Sequence, residues 1–190
     1  MNARVTDRLV AQRDVFGDTL LELMAQDERV YVLDGDLANS TKADKVALAR
    51  PDRFLQMGIA EQNMMGVAAG LASCGLIPWL SSFACFLANR DLDQLRVVVA
   101  QPNLGVKIGA AYSGLLTGKT GKTHQEVSDL ATMRASGLSD IQIHAERDAS
   151  DLLNGCCEAK PGEGSCGCAA PEDVPVGLAK SITVSARKPH

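Results

Sequence analysis

The sequence predicts a three-layer α/β/α domain built on a mainly parallel sheet. Three observations carry that expectation. Short apolar runs, too brief for helices, recur as far as Ala145. Longer stretches with apolar side chains at helical spacing separate them. The first and fourth runs also end in a polar or glycine-rich loop. Strands and helices alternating at this interval place helices on both faces of a parallel sheet.

Residues 6–26 read as an amphipathic helix, with Leu9, Val10, Phe16, Leu20, Leu21, Leu23 and Met24 on the repeating face. Residues 29–33 (RVYVL) form a short β-branched strand that ends in a polar loop, 34–41. Open α/β sheets bind ligands beyond the carboxyl ends of their strands, so this loop is a candidate site. A short helix over 42–49 closes at Arg50-Pro51, and a second strand spans 54–57. The central helix follows from Gly58 towards Gly75. Residues 76–83 are a third strand, and 84–100 a helix carrying Phe86, Leu87, Leu92, Leu95 and Val98. A fourth strand (104–110), a glycine- and lysine-rich loop (112–122), a helix (127–135) and a fifth strand (141–145) complete the alternation. A last helix starts within 148–153. Residues 1–153 are thus one domain, and 154–190 a tail rich in glycine, proline and cysteine. Within the tail, 181–184 has strand composition but no evident partner.

With 190 residues, 46% hydrophobic and 22% charged, the chain suits one globular domain, or a domain and a tail. A net charge of −4 and the lack of a long basic run exclude a nucleic-acid surface. No apolar segment reaches the length of a membrane span, because Arg90 and Asp91 interrupt the most hydrophobic region. The charged N-terminus has no apolar block, which points to a cytoplasmic protein. Cys74 and Cys85 sit in apolar stretches as reduced core residues. Cys156, Cys157, Cys166 and Cys168 lack the C-x-x-C spacing of a zinc site, so no metal ligands are assigned.

The central helix carries the most informative pattern. It opens with Gly58 and a lone carboxylate, Glu61, and then runs without another charge to Gly75. Gly66, Ala69 and Gly70 fall on one face with almost no bulk, which calls for a close packing partner. A carboxylate at such a mouth either complements the helix dipole or serves as a desolvated acid that shares a proton. Phe83 and Phe86, three apart at a strand-to-helix junction, are core rings or a stacking platform. His124, in a polar loop, is a surface side chain or a group for proton transfer and hydroxyl binding. Neither Gly118-Lys119-Thr120 nor Gly121-Lys122-Thr123 has the upstream glycine of a phosphate loop, so nucleotide binding of that type is rejected. No G-x-G-x-x-G follows a strand.

Taken in order, these pieces resemble the pyrimidine-binding domain of transketolases. The matching residues are Asp34-Gly35-Asp36-Leu37, Phe54 through Gly58-Ile59-Ala60-Glu61-Gln62-Asn63-Met64, Pro78-Trp79 with Ser82-Phe83 and Phe86, and Gly121 with Thr123-His124-Gln125. The likeness is to the separately encoded C-terminal subunit of split bacterial transketolases and covers residues 1 to about 153. It implies thiamine diphosphate as cofactor. A glutamate at the position of Glu61 would hydrogen-bond ring nitrogen N1′ of the aminopyrimidine. Phe86 would stack on that ring with Phe83 beside it, and Asp36 would lie near the cofactor. His124 would contact hydroxyls of a sugar-phosphate substrate.

The chain departs from the family at three places: Asn89 replaces a tyrosine, Thr120 an aspartate and Tyr112 a histidine. It has no Gly-Asp-Gly…Asn motif. The resemblance therefore implies that Mg²⁺ and the diphosphate are held by a partner, the diphosphate-binding N-terminal subunit, in a homo- or hetero-oligomer. No C-terminal transketolase domain is recognisable, so a shortened subunit or a truncated reading of a longer gene is expected. Three alternatives stand beside transketolase: a 2-oxo acid dehydrogenase beta subunit, a deoxyxylulose-phosphate-synthase fragment, and a non-catalytic assembly protein.

Overall fold

The computed structural model describes residues 11–115, 117, 120–137, 139–148 and 180–187. The expectations for residues 6–10, for a helix over 149–153 and for the cysteines of the tail lie outside them.

Helix α1 (Gln12–Gln26) buries Gly17, Leu20 and Met24, the three- and four-residue spacing of one helical face. Gly17 is required there, because a Cβ would come 2.4 Å from the carbonyl oxygen of Lys42. Four parallel strands follow in the chain: β1 (Val30–Asp34), β2 (Phe54–Gln56), β3 (Ile77–Phe83) and β4 (Lys107–Ala111). They lie in the order β2-β1-β3-β4. Alternation along β1 sends Val30 and Val32 to one face, where they pack with Leu20, Met24 and Val46. Leu33 goes to the other face, with Leu80, Met64, Met65 and Leu87. Two apolar clusters on opposite sides of one sheet make three layers, as the alternation predicted.

Loop 34–41 is more ordered than its polar composition suggested. Asp34 Oδ2 accepts hydrogen bonds from the backbone N–H groups of Leu37 (2.9 Å) and Ala38 (3.1 Å). Those bonds satisfy amides at the start of a helical turn, α2 (Ala38–Thr41). Helix α3 (Asp44–Ala49) follows and packs on α1. Helix α4 (Glu61–Ser73) turns Met64, Met65, Ala68 and Ala69 into the core. Among the described residues nothing packs against its glycines as the sequence led one to expect. A Cβ on Gly66 or Gly70 would meet nothing within 4 Å, because the methionines carry the burial on the opposite side.

The single helix expected over 84–100 is broken. It divides into α5 (Ala84–Asn89), α6 (Leu92–Gln94) and one turn of π-helix, Leu95–Ala100. Asn89 turns its amide back to the Cys85 carbonyl (2.9 Å), a local bond that competes with helix continuation. The break falls at Arg90 and Asp91, the two charges inside the apolar run. Helix α7 (Asp129–Ala135) begins two residues later than expected.

The fifth strand is not part of the parallel sheet. Strand β5 (Ser139–Asp148) pairs antiparallel with β6 (Lys180–Arg187), within the segment read as a tail, in a separate two-stranded sheet. Residue 148 ends this strand rather than opening a helix. Local composition identified both strands. Their pairing joins positions more than thirty residues apart, which short-range pattern does not encode. Among the described residues no helix is long and apolar enough to cross a membrane.

Candidate functional site

Parallel register sets the site. Asp34 of β1 lies opposite Ser81 of β3 and Gln56 of β2, so three strand ends meet at one edge. Glu61, the first residue of α4, enters beside them with its side chain 1% exposed. The Ser82 hydroxyl donates to Glu61 Oε1 at 3.4 Å. Gly35 passes so close that a Cβ there would lie 3.1 Å from Ser82 Oγ and 3.5 Å from Glu61 Oε1. Backbone without a side chain therefore closes one wall around the carboxylate.

The opposite wall is Arg90. Its Nη1 donates to Glu61 Oε2 at 3.0 Å, and its guanidinium carbon sits 4.1 Å from the centre of the Phe86 ring. Such cation–π contacts contribute about 0.5–2 kcal/mol, depending on desolvation. A cleft of about 340 Å³ opens here, lined by Ile59, Ala60, Glu61, Gln62 and Arg90. The break after Asn89 is what frees Arg90 to turn back towards α4.

Phe83 closes β3 and Phe86 lies in the first turn of α5. Their rings are nearly parallel, 11° apart, with centroids at 6.0 Å. His124, in the 3₁₀ turn Gly121–His124, meets both edge-on, at 5.8 Å from Phe83 and 5.3 Å from Phe86. Its Nδ1 lies 2.8 Å from the Thr123 hydroxyl. Tyr112, whose φ of 58° is rare for a bulky residue, covers Phe83 at 4.5 Å and accepts a hydrogen bond from Arg13.

Glu61, Phe86, His124 and Phe83 thus form one contact series, linked through Arg90. Asp36 stands outside it, on the exposed turn after β1 with φ 66°; its backbone N–H donates to Gln56 Oε1 at 3.2 Å. The buried acid of that turn is Asp34. Burial pushes its carboxyl up, against the hydrogen bonds from Gln56, Leu37 and Ala38. Asp91 is buried with neither carboxyl oxygen hydrogen-bonded. Burial, and then the charge of Glu61, push its pKa up to about 7.

Sequence reasoning did not connect Arg90, Asp91 and Gly35 to this site. For Arg90 and Asp91 a signal existed: two adjacent charges in the most apolar region of the chain. For Gly35 the decisive fact is its contact with Ser82 and Glu61, segments distant in the chain and invisible in local pattern.

The chemistry of this arrangement is specific. A flat nitrogen-bearing group, the guanidinium, already rests on the Phe86 ring with an N–H directed at the Glu61 carboxylate. The site therefore fits a planar nitrogen heterocycle in that position, walled from water by Gly35 and Ser82.

Comparisons with known proteins identify the family of the domain. Residues 9–154 match the profile of the family described as transketolase, pyrimidine binding domain. A Methanocaldococcus jannaschii protein, provisionally described as a transketolase C-terminal section, is 46% identical over 123 residues, 65% of this chain and 39% of that protein. A 1-deoxy-D-xylulose-5-phosphate synthase of Thermomicrobium roseum is 37% identical over 140 residues, 74% of this chain and 22% of that enzyme. Among solved structures, a split-gene transketolase described as an inactive β4 tetramer is 46% identical with a TM-score of 0.56. That match covers 66% of this chain and 40% of the other. The chain therefore spans well under half the length of these relatives.

Proposed function

This chain belongs to the transketolase pyrimidine-binding domain family, and on that premise we propose that it is the pyrimidine-binding portion of a thiamine-diphosphate-dependent transketolase. It moves a two-carbon ketol unit between sugar phosphates, in the cytoplasm, together with a subunit that holds the diphosphate and Mg²⁺. The observation that carries the reading is the buried Glu61 carboxylate facing a flat nitrogen group on Phe86.

Bound there, thiamine diphosphate would supply the carbanion-stabilising chemistry that protein side chains lack. The chain's own residues bind and orient. Glu61 holds a proton at ring nitrogen N1′, in a pocket where desolvation strengthens the hydrogen bond. Phe86 carries the ring by stacking, worth about 0.5–1.5 kcal/mol beyond burial, and Phe83 supports it from beside. Arg90 would have to leave the Phe86 face for the ring to stack there. His124 would donate to hydroxyls of the sugar phosphate, and Asp36 would lie near the cofactor. The split-gene relative's inactivity as a tetramer of one subunit supports the need for a second chain.

The test is reconstitution with a diphosphate-binding subunit, thiamine diphosphate and Mg²⁺. Glu61→Gln keeps the shape and can still accept from Arg90, so the urea midpoint holds while turnover falls by at least about 100-fold. Unchanged turnover in that variant would remove Glu61 from the chemistry. A second reading has its own support: the synthase relative, 37% identical over 140 residues, favours a deoxyxylulose-phosphate-synthase fragment. Substrate profiling separates the two, because the synthase consumes pyruvate and the transketolase a ketose phosphate.

A further inference from the structure

Glu126 is buried at the junction of α5, the His124 turn and α7. Its backbone pairs both ways with Gly114, N–H to carbonyl at 2.6 and 3.1 Å. Its Oε1 accepts from the Ser128 amide (2.6 Å) and hydroxyl (2.7 Å). Its Oε2 accepts from the Asn89 side-chain amide at 2.5 Å. The same Asn89 nitrogen donates to the Cys85 carbonyl, so both of its partners are acceptors and the orientation of the amide is determined. Burial works to raise the Glu126 pKa, but the bonds from Ser128 and Asn89 outweigh it and hold the carboxyl below its ordinary value. One side chain thus ties the end of α5 to the start of α7, and its backbone ties in the loop that carries Tyr112.

The His124 turn hangs from this knot, two residues before Glu126. Phe83 and Phe86, the rings against which His124 stands, lie just ahead of Asn89 on the same strand-to-helix segment. We propose that Glu126, bound by Asn89, is the positioning residue that sets His124 against the Phe83–Phe86 platform. The two residues act as a pair, and Asn89 contributes through Glu126 rather than by touching substrate. This rests on the reading of His124 as a substrate-contacting group, but its geometric half is measurable without any turnover.

The chain has three histidines, His124, His144 and His190. A spectrum of the full chain carrying carbon-13 at histidine Cε1 alone therefore has three ring signals, with His124 identified by its loss in His124→Asn. Edge-on contact with two aromatic rings displaces the His124 signal from its solvent position. Asn89→Ala and Glu126→Gln each move it towards that position, and the double variant moves it no further than either single one. Glu126→Gln removes an acceptor from Asn89 while keeping shape, and Asn89 is exposed, so both variants retain the fold. Leu20→Ala, a core control of greater cost, leaves the signal in place. In the reconstituted complex Glu126→Gln, which leaves the Asn89–Cys85 bond in place, raises the sugar-phosphate KM by about 10- to 100-fold with cofactor affinity unchanged. An unmoved His124 signal in both variants overturns the proposal, as do strictly additive shifts. A wild-type complex that never turns over refutes the functional reading, while the spectra still decide the pairing.

Discussion

Asp91→Asn provides a sharp test of the electrostatics beside Glu61. Asp91 is fully buried, neither carboxyl oxygen has a hydrogen-bond partner, and Glu61 adds a like charge. Its folded pKa of about 7 stands above the ordinary 3.8 of the unfolded chain. Between those two values the folded protein keeps the proton and the unfolded chain has lost it. The folded state therefore binds more protons, and stability falls as pH rises through the window. The slope is about 1.4 kcal/mol per pH unit, the energy of one pKa unit. The loss is absent below the unfolded value, nearly complete at pH 7, and constant above it.

Asparagine has the same shape and does not titrate. The variant should match wild type in its pH dependence below pH 4 and gain relative stability above it. From pH 5 to 7 the gain amounts to about 2–3 kcal/mol, which is about 4–12 °C in Tm for a chain of this size. Urea unfolding of both proteins at unit intervals from pH 4 to 8 reads this directly. Other titrating groups are common to both and cancel in the difference. Parallel stability curves across that range would show that Asp91 does not carry a displaced proton, and the argument from its burial would fail.

Two further substitutions probe the walls of the same pocket. Arg90→Ala removes the counter-charge of Glu61; because the arginine side chain is 46% exposed, the cost is about 1–3 kcal/mol, below that of breaking a fully buried pair. Urea unfolding checks this, and an unchanged midpoint would mean that the guanidinium does not hold the carboxylate. Gly35→Ala forces Ser82 and Glu61 aside by a few tenths of an ångström, an overpacking that costs about 1–3 kcal/mol. A Tm equal to wild type would show that this wall is looser than its 3.1 Å approach implies.

By itself the sequence determined the layers and singled out Glu61, Phe83, Phe86 and His124 as candidates for the site. Strand and helix identity follow from side-chain periodicity, which is local, so β1 to β4 and α1, α4 and α7 were legible within a few residues. Glu61 stood out as the lone charge at the mouth of an apolar helix, and Phe83, Phe86 and His124 as rings in a chain with few. What required tertiary structure was who meets whom. Arg90 reaches Glu61 only because α5 breaks at Asn89, and that break depends on a side chain bonding its own backbone. The pairing of β5 with β6 and the Asn89–Glu126 bond join segments far apart in the chain. Periodicity reports which face of an element is buried; the partner on that face is a property of the packed chain.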